Sequence, residues 1–522
     1  MHLTKISKTS IILFILSLII LAIGFFLRSR MILNGDFWFT PDQARDMLLA
    51  KDVVVNHKPI LIGARSGLEG IFHGPLWIYL ISIPFAIFKG DPQKVSYFYI
   101  FISMALICFA SLATYKLYNK WIGFLVLLIL SFAQNLYSVI NDTTNAHGLP
   151  FVLIGFLYSL ILFIRGNNKA FLFTIFFAGL AFEFQAAFAI FLFPYTILLA
   201  LLINRKIFTL KNIIRGIIVY ALSLISLILF ELRHQFLTTK AVLKIFTHPG
   251  GLTPIKGYEQ YGNIFFRIND RVSTLIQTPY SILPDRITWL FLITIAIIFY
   301  AFITVLKTKK YNKYKKEFIL LFFFPFFVYI LYIFYPLPIW NHYTFAIPII
   351  MVFLFGLSCN CIWYSRWGKI LISLFVISTT WVALLQLKTM YKMPYTALTD
   401  GSYINQLHVA DAIFQDAKGE KFSYFVYTPP VITYGMDYLL WWRGTQKYNS
   451  LPSNQKYNGL MYTILYPNDK DASAHGYFIS HVLHTNSQIL STNTYPGQIK
   501  VQKRRISEKE APVDPNYYLN AR

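Results

Sequence analysis

"GDFWFTPDQARDMLLAKD", residues 35–52, follows closely on the first apolar run of the chain, residues 11–27. Thr40-Pro41-Asp42-Gln43 has the grammar of a helix start. Thr is the N-cap, Pro the first helical residue, Asp sits in the first turn and Gln at the capping-box position. The pattern predicts a helix over 41–55. Asp36, Asp42, Asp46 and Asp52 crowd this stretch, in a chain with only 23 acids. The sequence therefore places a polar helix outside the membrane, just after a membrane-spanning one.

The rest of the composition agrees. The 522 residues are 56% hydrophobic, 18% aromatic and 13% charged, against about 25% charged in a soluble domain. Apolar runs of near-spanning length recur from end to end, which defines a polytopic α-helical membrane protein. The first run resembles a signal peptide. Arg28-Ser29-Arg30-Met31 is a poor cleavage site, however, so the run is read as a retained span. The formal charge of +24 would suggest nucleic acid in a soluble protein. Here the basic residues fill short loops between apolar runs, as the positive-inside rule and anionic lipids require; no nucleic-acid partner is expected. Cys108, Cys359 and Cys361 lie inside apolar runs and imply no disulfide framework.

Five short loops are basic: 116–120, 165–169, 205–215, 307–316 and 366–369. With Lys5 and Lys8 they are placed in the cytoplasm. The outer connections are then 28–75, 140–148, about 183–185, 233–286, 336–342 and everything after about 389. Parity allows one crossing between 75 and 116, where there are two apolar runs. The run 76–88 is short and contains Pro84, so it is read as an interfacial or re-entrant helix, with 96–115 as the second span. The run 170–203 is read as a hairpin of two short spans with Glu183 and Gln185 at its outer turn, and 213–232 as one span. About eleven spans result. The expected domains are a membrane part, 1–395, and a small extracytoplasmic α+β domain, 396–522, with a loosely ordered end. "KGEKFSYFVYTPPVITYGMDYLLWW", residues 418–442, alternates like strands.

No internal repeat, Gly-rich phosphate loop, Cys/His cluster or Gly-x-Ser-x-Gly occurs. A nucleotide-driven pump and a serine hydrolase lose support. The acids instead gather at one face: Asp36, Asp42, Asp46, Asp52 and Glu69, then Asp142, Glu183 and Glu231. Ionisable groups at membrane depth are usually functional, whereas near the interface they can simply be hydrated. Asp42 and Arg45 are three apart and share a helix face. Such a pair is either structural, or a carboxylate base beside a guanidinium suited to phosphate. Asp46 and Asp52 read as solvated-face residues, and Asp36 carries no assignment.

"TPDQARDMLLAKDVVVNHKPILIGARSGLEGIFHGPLWIYL", residues 40–80, resembles the first outer loop of the GT-C glycosyltransferases. The protein O-mannosyltransferases and the aminoarabinose transferase of lipid A are the groups it is most similar to. Their pattern is an Asp-Glu pair opening an amphipathic helix, then a basic-Pro-Pro-Leu-aromatic stretch leading into a hydrophobic helix. Asp42-Gln43 stands for the pair, Arg45 matches the aminoarabinose transferase Arg, and His73-Gly74-Pro75-Leu76-Trp77 stands for the second stretch. Gln43 replaces Glu, and His73 replaces a common Lys. Asp142 matches an Asp of the next outer loop, and "HYTFAIPII", 342–350, a late Tyr-x-x-Pro span.

The resemblance implies transfer of a sugar from a polyprenyl-phosphate donor on the outer face. It places Arg45 and His73 on the lipid phosphate. Asp42 is the base for inverting displacement, and Asp142 positions the acceptor or shares that role. The acceptor, whether lipid, glycan or protein, is not specified. No cofactor is implied, and a divalent metal stays open.

Further candidates come from the residues themselves. Glu231, Arg233 and His234 are either snorkelling groups or a second lipid-phosphate or acceptor contact. Glu183 and Gln185 either end short helices or line a cavity. Trp340 and His342 form an interfacial belt or a cavity wall. His147 has no distinguishing feature. One rival reading is a polysaccharide polymerase or ligase with a pyrophosphate-linked lipid, which would use the arginines of 233–286. Another is a lipid-linked sugar flippase or transporter, which would call for broken helices and internal symmetry. Frequent Lys, Ile, Asn, Phe and Tyr suggest an AT-rich genome, and a bacterial inner membrane is expected.

Overall fold

The computed structural model describes residues 8–66, 68, 70–133, 144–247, 258–392, 399–429, 432–471, 473–507 and 510–519. Asp142 and Glu69 lie outside the described residues. In chain order the longer helices are α1 (Lys8–Leu33), α2 (Pro41–Val54), α3 (Leu76–Ile87), α4 (Pro92–Leu117), α5 (Lys120–Phe132), α6 (Leu149–Ile164), α7 (Asn168–Leu180), α8 (Leu192–Ile203), α9 (Leu210–Ser223) and α10 (Ile225–Arg233). They continue as α11 (Leu237–Thr247), α12 (Ile264–Gln277), α13 (Thr288–Lys307), α14 (Asn312–Tyr332), α15 (Ile347–Ile362), α16 (Arg366–Lys392), α17 (Tyr403–Ala417) and α18 (Tyr434–Arg443). The chain packs as two compact units. One is Met1–Arg28, Pro59–Tyr79 and Tyr99–Met393; the other is Ser29–Lys58, Leu80–Phe98 and Pro394–Arg522.

Among the described residues seven helical runs are long and apolar enough to cross a membrane. They are α1, α4, Asn145–Ile164, Ala186–Ile203, α13, Asn341–Ile362 and α16. The expected span 213–232 is not one rod. It breaks at Leu224 into α9 and α10, bent by 74°, and counts as an eighth run if the pair is one span. α3 and α5 are apolar but only 12 and 13 residues long, roughly 20 Å. α14 carries Lys315, Lys316 and Glu317 near its start. The stretch 170–203 does turn back on itself: Asn204 Nδ2 donates to Asn168 Oδ1 at 3.0 Å, so the far ends of α7 and α8 meet.

In the first unit the loops sort to two ends of the helical bundle. At one end Arg165 binds Glu317 through two bonds of 2.6 and 2.9 Å and also donates to the Leu117 carbonyl. Asn119 donates to Asn360, and Lys310 sits over the Tyr364 ring. At the other end Glu183 joins Leu76 and Ser226, and Asn145 donates to the Phe184 carbonyl. The Tyr332 hydroxyl donates to the Ala187 carbonyl. The basic loops thus share one end, and the segments read as outer share the other. Arg28, 2% exposed, lies at the end of the first apolar run and donates to the Leu130 and Ser131 carbonyls that finish short α5. A basic side chain there takes up carbonyls that the helix itself cannot pair.

The second unit holds the sheet. Its strands are β1 (Phe422–Tyr427), β2 (Gly459–Leu465), β3 (Gln488–Tyr495) and β4 (Ile499–Ile506), in the order β1-β2-β4-β3. β1 runs parallel to β2, pairing Tyr424 with Tyr462; the other pairs are antiparallel. Of residues 418–442, Phe422–Tyr427 form a strand, whereas those from Tyr434 onward are helical (α18) and alternate only in composition. The chain end is also better built than expected. Val513 and Tyr517 join Phe425, Met461 and Phe478 in a core, and the Tyr517 hydroxyl accepts from the Val426 N–H. Apolar burial at these two residues outweighs the polar composition around them.

Asp437 of α18 is a buried carboxyl that this packing perturbs. Burial pushes its carboxyl up to about 6, although Thr433 and Tyr424 hydrogen bonds pull the other way. Between the unfolded value, about 3.9, and about 6 the folded chain holds a proton that the unfolded chain has lost. Stability from this group is therefore full at the acid end and falls as pH rises through about 6. Asp437→Asn should match the wild type in thermal midpoint near pH 4 and exceed it at pH 8. Equal midpoints at both pH values would contradict this.

Candidate active site

In the second unit, α2 begins as its sequence dictates. The Thr40 hydroxyl accepts the Gln43 N–H at 3.3 Å, and Pro41 is the first helical residue. This leaves Asp42 in the first turn, where the helix dipole favours its charged form. Arg45 Nη1 donates to Asp42 Oδ1 at 2.7 Å. Its Nε and Nη2 both donate to Asp46 Oδ1, at 3.1 and 2.9 Å. The Asp42 side chain is 61% exposed, Arg45 16% and Asp46 0%. Burial pulls the Arg45 guanidinium down, but Asp46 and Asp42 more than offset it and hold it above the usual arginine value.

Asp46 is thus not a solvated-face residue. It lies on the buried stripe Gln43, Asp46, Met47 and Ala50. The signal in the sequence is that spacing, which puts an acid among small and apolar positions at i, i+3, i+4 and i+7. Asp42 Oδ2 has no hydrogen-bond partner among the described residues. Asp52 accepts from Asn56, one turn on.

The same unit shows how α2 is aimed. Residues 35–39 run beside 401–404 with three backbone bonds: Phe39 N–H to Gly401, Tyr403 N–H to Phe37 and Ile404 N–H to Gly35, each 2.9 Å. Asp36 accepts from the Ser402 hydroxyl at 2.9 Å, which gives it a structural role. Gln406 donates to the Phe39 carbonyl and accepts from the Tyr466 hydroxyl. Lys51 of α2 lies 4.8 Å from the centre of the Trp441 ring of α18.

The first unit gathers other predicted residues. His73 is 8% exposed and its backbone pairs with Gly63 and Ala64. Gly74 follows because a Cβ there would stand 2.2 Å from Glu183 Oε2. Glu183 accepts the Leu76 N–H at 3.1 Å and the Ser226 hydroxyl at 2.6 Å. It therefore supplies an acceptor oxygen to the start of α3. Gln185 is 1% exposed. Its Nε2 makes a long 3.5 Å bond to the His342 carbonyl, while its Oε1 is buried with no partner among the described residues. Glu231 accepts the Thr238 and Thr239 N–H groups at 2.9 Å and so caps α11. Arg233 and His234 are exposed, and the His234 ring stacks on Phe230. His342 is exposed at its ring, against Tyr343.

Two arginines of 233–286 are taken up by the fold. Arg267 Nε donates to the Ile333 carbonyl at 2.8 Å, and Arg271 Nη2 to the Leu337 carbonyl at 2.7 Å. This weakens the reading that needs them for a lipid pyrophosphate. Among the described residues no three His, Cys, Asp or Glu side chains gather as a metal site would require.

Residues 72–231 match the family described as dolichyl-phosphate-mannose-protein mannosyltransferase. No curated protein matches the chain. The crystal structure of ArnT from Cupriavidus metallidurans bound to undecaprenyl phosphate is similar with a TM-score of 0.56 at 11% identity, covering 95% of this chain and 98% of that one. The apo form of the same ArnT gives 0.55 at 11% identity, covering 94% and 97%. The chain shares its fold with that ArnT: a polytopic helical membrane protein with a small α+β domain.

Removing one partner of a buried ion pair costs roughly 3–5 kcal/mol, less where solvent reaches it. Asp46→Asn should therefore lower the thermal midpoint in detergent. Adding Arg45→Met to that variant should restore part of the loss. A double variant whose loss equals the sum of the singles would show that the pair does not act as a unit.

Proposed function

We propose that this chain is a membrane glycosyltransferase that moves a sugar from a polyprenyl-phosphate carrier to an acceptor hydroxyl, with inversion, on the outer face of a bacterial inner membrane. The observation that carries the reading is the charge arrangement on α2. One guanidinium is held from behind by a buried carboxylate and touches an exposed carboxylate through a single nitrogen. The fold shared with a protein crystallised on undecaprenyl phosphate supports the choice of donor.

The chemistry then follows from the groups. Arg45 Nη1 exchanges Asp42 for a donor phosphate oxygen, while Asp46 keeps Nε and Nη2. Asp42 turns to the acceptor and takes its hydroxyl proton. The acceptor oxygen attacks the anomeric carbon, the bond from that carbon to the phosphate oxygen breaks, and polyprenyl phosphate leaves with the electron pair. Arg45 offsets the charge gathering on that phosphate. His73 is assigned a second phosphate contact by the resemblance. Asp142 is assigned to the acceptor in the same way. Gln185, whose Oε1 is buried with no partner among the described residues, keeps its assignment as a substrate-binding residue within the first unit. A donor that diffuses in the bilayer makes a nucleotide site unnecessary.

Asp42→Asn should abolish consumption of endogenous polyprenyl-phosphate sugar in membranes, by at least about 100-fold for loss of a general base, with normal yield and melting. Mass spectrometry of extracted lipids gives the readout. Full consumption by the variant would overturn the assignment, and a matching loss of folding would leave Asp42 as a helix cap.

A further inference from the structure

α12 has three faces where an ordinary surface helix has two. One face meets the bundle. It carries Arg271, 1% exposed, and Arg267, whose guanidinium groups hold carbonyls just beyond the end of α14. A second face is apolar and uncovered: Ile264, Phe265, Ile268, Val272 and Ile276 are 42%, 77%, 38%, 45% and 61% exposed. Ile264, Ile268, Val272 and Ile276 are spaced by fours and Phe265 lies three before Ile268, which keeps all five on one stripe. The third face is polar, with exposed Asn269, Ser273 and Gln277.

An apolar stripe of this size calls for a partner. Its position says which. The two arginines fix α12 where α14 ends. α14 itself exposes Phe323, Phe326 and Ile330 along its length, and Phe334 follows just past its end. This row is an uncovered apolar side of the helix, and it runs up to the carbonyls that α12 holds. The stripe on α12 continues that surface around a corner. A protein partner would explain the grease but not a polar face beside it that is equally uncovered.

We infer that α12 lies in the plane of the membrane interface. Its apolar stripe enters the boundary between headgroups and acyl chains, its polar face meets water, and its arginine face fastens it to the bundle. Helices of this kind bury their apolar side about 5–10 Å deep. Because Arg267 and Arg271 complete the end of α14, the membrane also steadies the segment 333–337 that follows. The inference does not depend on the glycosyl-transfer reading.

Spin labels at single cysteines in the full chain, reconstituted in phosphatidylcholine–phosphatidylglycerol vesicles, test it. Cys108 is half-buried and would be replaced by Ser; Cys359 and Cys361 are buried. Labels at 265, 268, 272 and 276 should collide with oxygen several-fold more readily than with a water-soluble nickel chelate. Labels at 273 and 277 should show the reverse. All of these positions are exposed, so the labels should not disturb folding. Stripe labels as open to nickel as position 273 would overturn the inference. Stripe labels closed to both reagents would overturn it in favour of a second copy of the chain.

Discussion

A helix that stops leaves N–H groups at one end and C=O groups at the other without partners. In a bilayer, water is not there to take them. Charged side chains finish several helices of this chain, the short α3, α5 and α11 and the longer α14. Arg28 completes α5, Arg267 and Arg271 complete the end of α14, Glu183 meets the start of α3, and Glu231 caps α11. Each of these contacts pairs backbone groups that the helix itself leaves open.

The α2 cluster differs from those caps in kind. Thr40 and Pro41 already start the helix, so Asp42 is not its N-cap. Two carboxylates meet one guanidinium, and they are not equivalent. Asp46 is buried and fixes Arg45 along one edge; Asp42 is open and holds a single nitrogen. Here one oxygen of Asp42 is left over. The C-terminal residues matter to this arrangement because 401–406 and α18 hold the strand-like lead-in to α2 and the helix itself.

Much of this was legible in the sequence. Apolar runs gave the membrane class, the Thr-Pro-Asp start gave α2 within one residue, and basic loops sorted to one end of the bundle. Glu183 and Gln185 fell at a chain reversal, as their interruption of an apolar run implied. What local pattern could not give was the tertiary partner of each charge. Nothing near Glu231 in sequence says that it will cap a helix seven residues on. Asp46 looked solvated because its neighbours Arg45 and Lys51 are polar, whereas the stripe it shares with Met47 and Ala50 is buried. The kink at Leu224 has no Pro or Gly to announce it. Alternating composition in 434–443 imitated a strand, and the burial of Val513 and Tyr517 depends on a sheet far upstream.

A polyprenyl phosphate is the ligand proposed for this fold. Native mass spectrometry of the purified chain, with undecaprenyl phosphate and undecaprenol added in turn, tests it most directly. A bound adduct is expected with the phosphate, little with the alcohol, and loss of that preference in Arg45→Ala. Equal retention of both lipids by the wild type, or of neither, would contradict it.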